Sequence, residues 1–130
     1  MLALTPHIRI FVAIDPIDFR AGINRLGAIA KELFQEDPQS GILFVFRNRK
    51  QSEAKLLVFD GDGYYLIHRR LSCGRFPFWP KTLVNGHEPG IKVEPSELMM
   101  LLQGGDPRGG LKPSWKRIKP SEFEKEEKRN

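Results

Sequence analysis

One cysteine, Cys73, stands in a chain of 130 residues. A single thiol excludes an internal disulfide and any zinc cluster made from the cysteines of one chain. No His-and-acid pattern lies beside it to activate it, so Cys73 reads as a spectator thiol. Histidine is nearly as scarce: His7, His68 and His87 lie far apart, without metal-ligand spacing. No apolar run approaches the roughly 20 residues that cross a bilayer, and the basic-then-apolar start of a secretory signal is missing. The expected compartment is the cytoplasm. There is no internal repeat, and Gly61-Asp62-Gly63 lacks the surroundings of a phosphate-binding loop, so no cofactor is implied.

What is present is an ordinary globular composition with a basic balance. Forty per cent of the residues are hydrophobic and 28% charged, and 21 Lys and Arg against 16 Asp and Glu give a net charge of +5. A chain of this length buries roughly two-thirds of its unfolded surface, enough for one core. The charge is unevenly spread: residues 47–75 hold seven basic side chains against three acids, residues 112–130 hold seven against four, and the remainder sums to −2. A polyanionic partner would meet the chain in those two places.

Periodicity supplies a coarse fold. His7–Ile14 is rich in β-branched and apolar residues and reads as a strand. Asp15-Pro16 breaks it, and Asp15, Pro16 and Asp18 suit the N-cap, first position and capping-box acid of a helix running to about Phe34. Phe19, Ile23, Leu26, Ala30 and Leu33 recur at helical spacing, and the glycines at 22 and 27 suggest close packing on a sheet. Ile42–Phe46 is an apolar run of the kind found in a central strand buried on both sides. Lys55–Asp60 and Tyr64–Leu71 are further strands, joined to each other through Gly61-Asp62-Gly63 and to the first by a polar hairpin over 47–53. Glu94-Pro-Ser-Glu97 opens a short helix that Gly104-Gly105 ends. The fold class is therefore α+β: a single domain, an antiparallel β-meander plus an N-terminal strand, packed by one long helix and a short C-terminal helix. Residues 1–105 form the compact domain, and 106–130 form a basic extension, disordered from 121.

The candidate nucleic-acid contacts follow from the charge. Arg47, Arg49 and Lys50 lie on the hairpin, Arg70 lies at the end of the third meander strand and Arg75 follows it. Lys116 and Arg117 come directly after Trp115, which is either a stacking platform beside these cations or an anchor folding the tail back onto the domain. Strand alternation sends Arg69 and Arg70 to opposite faces, so one of the two is structural, pairing with Asp60 or Asp62. A solvated basic face that only keeps the chain soluble is the bland alternative. Phe76, Phe78 and Trp79, packed between prolines, are core or a partner-docking patch. Asp37, Glu53 and Lys55 match the acid, acid-x-Lys arrangement of metal-dependent nucleases, but that chemistry needs carboxylates converging on Mg²⁺ from adjacent strands. Glu53 falls in a turn and Asp37 in the loop after the helix, so no catalytic residue is assigned.

The order of several motifs is familiar. Asp18-x-Arg20-x-Gly22, Asp37-Pro-x-Ser-Gly41, Phe44-x-Phe46, Lys55-x-Leu57-x-x-Asp60-x-x-Gly63, Arg69-Arg-Leu71, Gly74-Arg-Phe76 and Trp79-Pro80 together resemble the small TnpB-type accessory proteins of the insertion-sequence sixty-six family of transposable elements. The likeness runs from about Ile8 to Pro80 and more faintly through Leu98 to Gly104. It implies a bacterial accessory protein of transposition and DNA recombination that is not an enzyme, since a separate, larger transposase carries the catalytic carboxylates. Ser72-Cys73 departs from the family, where an acid usually stands between Leu71 and Gly74, and the extension 105–130 looks particular to this chain.

Three functions from different classes result. The first is an accessory protein that contacts DNA non-specifically through the basic hairpin and tail. The second is an interaction module that docks on the element-encoded transposase through residues 76–80. The third is a metal-dependent nuclease.

Overall fold

Strand-forming residues in the chain meet in one mixed sheet. The computed structural model describes residues 7–81 and 88–104 and, as backbone, 116–118. In chain order the elements are β1 (Ile10–Ala13), α1 (Ile23–Phe34), β2 (Leu43–Arg47), β3 (Glu53–Phe59), β4 (Tyr64–Arg70), β5 (Gly90–Val93), α2 (Pro95–Leu101) and β6 (Lys116–Ile118). The sheet order is β4-β3-β2-β1-β5-β6. The meander β2-β3-β4 is antiparallel throughout, as its two short connections predict. β1 lies parallel to β2, joined through α1 in a crossover, while β5 runs antiparallel to β1.

β2 is central and buried on both sides, because alternate residues serve two cores. Phe44 and Phe46 join Phe11, Leu57, Leu26, Ala30 and Phe34 under α1. Leu43 and Val45 face the other way, toward Ile10, Val12, Leu56, Phe76 and Trp79. Phe34 lies edge-on to Phe11 with centroids 5.5 Å apart and stacks on Phe44 at 5.7 Å. The second face is closed by α2, through Leu98 and Leu101, and by the irregular segment after β4. The sheet is thus covered on both sides, and not by the long helix alone.

Two local expectations are corrected. The long helix starts at Ile23, with Gly22 as an N-cap that offers no side-chain bond. Asp15, Pro16 and Asp18 instead belong to a loop that tertiary contacts hold. Ile17 N–H donates to the Arg47 carbonyl at 3.0 Å, and Asp18 Oδ1 accepts from Arg20 N–H at 2.9 Å. A local Asp turn here wins over the capping box that its spacing suggested. The glycines of α1 are not forced by the sheet either: a Cβ at Gly22 would meet open space and one at Gly27 would meet Pro38 at an ordinary 3.6 Å. The short helix does begin with the expected device. Glu94 is its N-cap, Glu94 and Glu97 form a reciprocal capping box, and Pro95 occupies the first turn.

Candidate nucleic-acid interface

The connection between β2 and β3 is a five-residue turn, 48–52, organised by one side chain. Asn48 Oδ1 accepts from Ser52 N–H at 2.9 Å and Glu53 N–H at 3.0 Å. Gln51 takes a left-handed backbone conformation, φ 59°, which is uncommon for a residue with a Cβ. That conformation turns Gln51 toward the segment following β4. Its Nε2 donates to the Phe76 carbonyl at 2.6 Å, and its own carbonyl accepts from Phe76 N–H at 2.9 Å. Leu71 N–H closes the same junction on the Ser52 carbonyl at 3.0 Å. Three bonds therefore lock two turns of the chain, 48–52 and 71–76, side by side.

The lock gathers cations. Arg49 and Lys50 on one turn and Arg75 on the other line a shared notch with Gln51, Ser52 and Gly74. Arg70 ends β4 directly opposite Glu53 at the same end of the sheet. All four cations are exposed. Among the described residues, none of the four has an acid within ion-pair distance. Three of the expected contacts thus share one notch, and a fourth, Arg70, lies at the same end of the sheet.

Arg47 is placed differently from its neighbours. It is half-buried, with Nε donating to the Ile14 carbonyl at 3.0 Å and Nη1 to the Asn48 carbonyl at 3.2 Å. Burial pulls its pKa below the usual guanidinium value, with nearby Asp15 opposing the shift. It braces the turn and is not presented to solvent as its hairpin position suggested. Arg69 is the structural member of the Arg69–Arg70 pair, but its partner is no acid: Nε donates to the Leu102 carbonyl at 2.8 Å, at the C-terminal end of α2 where a helix favours a cation. Asp60 spends a carboxylate oxygen on its own turn, accepting from Asp62 and Gly63 N–H at 2.9 Å each, which holds its pKa down.

Lys116 and Arg117 lie on β6, whose backbone pairs with β5. β6 and β4 are the two opposite edges of the sheet, yet Ile118 pairs with Gly90 and Gly90 with Ala13, so β6 finishes at the same end as the basic corner. Trp115 and residues 121–130 lie outside the described residues, as do the side chains of 116 and 117.

The proposed docking aromatics are mainly core. Phe76 is 0% and Trp79 3% exposed, with ring centroids 5.6 Å apart, and Trp79 Nε1 donates to the Ala13 carbonyl at 2.9 Å. Only Phe78 is half-buried. These rings pin the segment after β4 onto β1, and buried rings present nothing to a partner.

The nuclease-like trio is dispersed into structural roles. Glu53 Oε1 meets His68 Nε2 at 2.8 Å, and Oε2 accepts from Asn48 at 3.1 Å. Lys55 is nearly buried, its Nζ donating to the Phe19 carbonyl at 2.7 Å and the Ala21 carbonyl at 2.9 Å, 5.0 Å from the Phe19 ring centroid. Asp37 Oδ1 accepts from Gln39 N–H at 2.9 Å in the loop after α1. Among the described residues no group of three or more His, Cys, Asp or Glu could hold a metal ion, and no helix is long and apolar enough to cross a membrane.

The sequence matches the family described as IS66 Orf2 like protein over residues 8–110. The chain belongs to that family. Two curated proteins of Sinorhizobium fredii are similar to it. "Uncharacterized protein y4jC" is 31% identical over 119 residues, covering 92% of this chain and 91% of that protein. "Uncharacterized protein y4hO" is 36% identical over 107 residues, covering 82% and 88%. No solved structure matches. As an IS66 Orf2-like protein, the chain is associated with insertion-sequence transposition in an accessory role. The matched region takes in both locked turns and the loop motif Asp18-x-Arg20-x-Gly22.

That motif has its own geometry in this IS66 Orf2-like chain. The Arg20 guanidinium straddles Asp18, with Nη2 2.9 Å from Oδ2 and Nε 3.2 Å from both carboxylate oxygens. The Arg20 side-chain bond, helped by its backbone N–H, takes the Asp18 pKa from 3.8 down to about 2. A value depressed in the folded state means that the clamp acts fully above 3.8 and is lost as pH falls toward 2. An NMR titration of the Asp18 carboxyl should give a midpoint near 2; a midpoint near 3.8 would mean that the clamp is open in solution.

Proposed function

We propose that the chain is a non-catalytic accessory protein of transposition that contacts DNA through the corner formed by Arg49, Lys50, Arg70 and Arg75. The observation that carries this reading is the lock between the 48–52 and 71–76 turns, which fixes exposed cations from distant parts of the sequence around one notch. Turns held together in this way present their cations to a phosphate backbone without the cost of ordering a mobile loop, and each phosphate contact releases counterions. The cations of this corner sit on two turns and a strand end and not on a helix, which suits contact with phosphates more than with base edges, so binding depends little on sequence. Lys116 and Arg117, finishing at the same end of the sheet, extend the contact toward the opposite edge.

This reading involves no chemical step. Lys55 and Glu53 are committed to loop carbonyls, His68 and Asn48, which supports a structural role for each. Docking on a transposase through residues 76–80 draws no support from rings buried in the core.

The test is the salt dependence of DNA affinity. Each phosphate neutralised contributes about −0.9 to the slope of log K against log salt. Replacing Arg49, Lys50 and Arg75 by Ala should therefore flatten the slope by about 2.7 and weaken binding at low salt by roughly tenfold or more. Because all three are exposed, thermal stability should stay unchanged. An unaltered slope with the fold intact would place the DNA contact elsewhere.

A further inference from the structure

β4 ends the sheet, and no described strand pairs with its outer side. Which of its backbone groups face outward follows from the ladder. Asp60 N–H donates to the Gly63 carbonyl and Leu71 N–H to the Ser52 carbonyl, so the pairs 60–63 and 52–71 are hydrogen-bonded. Hydrogen-bonded and non-hydrogen-bonded pairs alternate along an antiparallel ladder. Given the pairing of Val58 with Tyr65, Leu56 with Ile67 and Ala54 with Arg69, residues 65, 67 and 69 spend their backbone groups on β3. Tyr64, Leu66, His68 and Arg70 point theirs at the free edge.

The side chains along this strand are arranged so that it complements itself. Two tyrosines stand at one end, two arginines at the other, and Ile67 at the centre is 38% exposed, unusual for its type. Antiparallel pairing of two β4 strands about a two-fold axis at Ile67 sets Leu66 against His68 and Tyr64 against Arg70, and these are the residues with outward backbone groups. The same register sets Tyr65 against Arg69 and Ile67 against its own copy. Every outward N–H then finds a carbonyl over all seven residues, each arginine faces an aromatic ring, and no like charges oppose. A register centred on His68 would oppose two imidazoles and leave Tyr64 unpaired.

We infer that β4 is a homodimerisation edge, pairing with β4 of a second copy about Ile67 to continue the sheet across two subunits. Arginines on this strand deter pairing with unrelated cationic edges while their match to tyrosine admits the chain's own copy. The inference does not need the DNA reading, since edge pairing uses backbone groups; of the cations assigned to DNA, Arg70 alone lies on the paired strand.

The test uses the full chain. At the two-fold, Ile67 and its copy form a non-hydrogen-bonded pair with Cα atoms about 4.5 Å apart, within the range that a disulfide spans. In a Cys73→Ser background, Ile67→Cys should give a covalent dimer on mild oxidation, whereas Asp62→Cys, in the turn beyond the paired strand, should not. Sedimentation over a roughly hundredfold range of concentration should show a monomer–dimer equilibrium. Ile67→Lys should weaken it by roughly tenfold or more while circular dichroism stays unchanged. Amide exchange at residues 64, 66, 68 and 70 should slow as the dimer forms. A monomer throughout, a dimer indifferent to Ile67→Lys, or edge amides protected equally in the monomer, as a segment of the same chain or another occupant would cause, each overturns the inference.

Discussion

Gly90→Ala should destabilise the chain by about 3 kcal/mol or more, at the upper end of overpacking changes. Gly90 opens β5 and pairs with Ala13. A Cβ there would overlap the Val12 carbonyl oxygen and lie 2.8 Å from Cε1 of Phe34. The phenyl ring could shift, but the carbonyl belongs to β1 in the middle of the sheet and cannot move without parting the strands. Pairing Gly90→Ala with Phe34→Leu should therefore recover little, and the double variant should be less stable than either single one. Urea unfolding of the four proteins measures this. Recovery in the double variant would mean that the aromatic ring, and not the strand backbone, excludes the side chain.

Lys55→Ala should cost about 3 kcal/mol, combining lost packing with two charge-assisted hydrogen bonds. The lysine crosses from β3 to the loop preceding α1 and holds it by the Phe19 and Ala21 carbonyls. Lys55→Met keeps the aliphatic stem and removes only the ammonium, so it should lie between wild type and alanine. Amide exchange in residues 15–22 should quicken in both variants before the rest of the sheet responds. Equal losses for Met and Ala would assign the whole effect to the ammonium; no loss in Met would assign it to packing.

These two positions mark what was readable in the sequence and what was not. The meander was legible because short strand-forming runs are separated by the polar 47–53 connection and by Gly61-Asp62-Gly63, and Glu94-Pro-Ser-Glu97 announced α2 by a local device. β5 carries no such signal. Gly90-Ile-Lys-Val93 is too short for a period, and its extended form comes from pairing with β1, far away in sequence. The start of α1 was misread because Asp15, Pro16 and Asp18 satisfy a capping pattern locally, while Lys55 and Arg47 decide the matter from other strands.

The candidate site was half legible for the same reason. Charge counting put Arg49, Lys50, Arg70 and Arg75 in a basic stretch, but composition cannot say that two turns are bonded together. The one available signal was Gln51-Ser52 opposite Gly74-Arg-Phe76, polar and glycine residues at the ends of neighbouring strands. Arg47 shows the converse error: a cation beside a turn looked solvent-directed, yet its guanidinium lies against carbonyls of the preceding loop. Phe76 and Trp79 could not be sorted between core and docking patch by sequence, since both roles favour aromatics; Trp79 bonded to Ala13 decides for the core.

The central claim is that DNA meets the corner where the two turns are locked. The most direct measurement is a two-dimensional amide NMR titration of the full chain with a short duplex at low salt. The account predicts that shifts concentrate in residues 48–52 and 69–76, weaken together as salt is added, and fall away in the Arg49, Lys50 and Arg75 triple-alanine protein. Shifts confined to α1 or α2, or none in the two turns while binding persists, would contradict it.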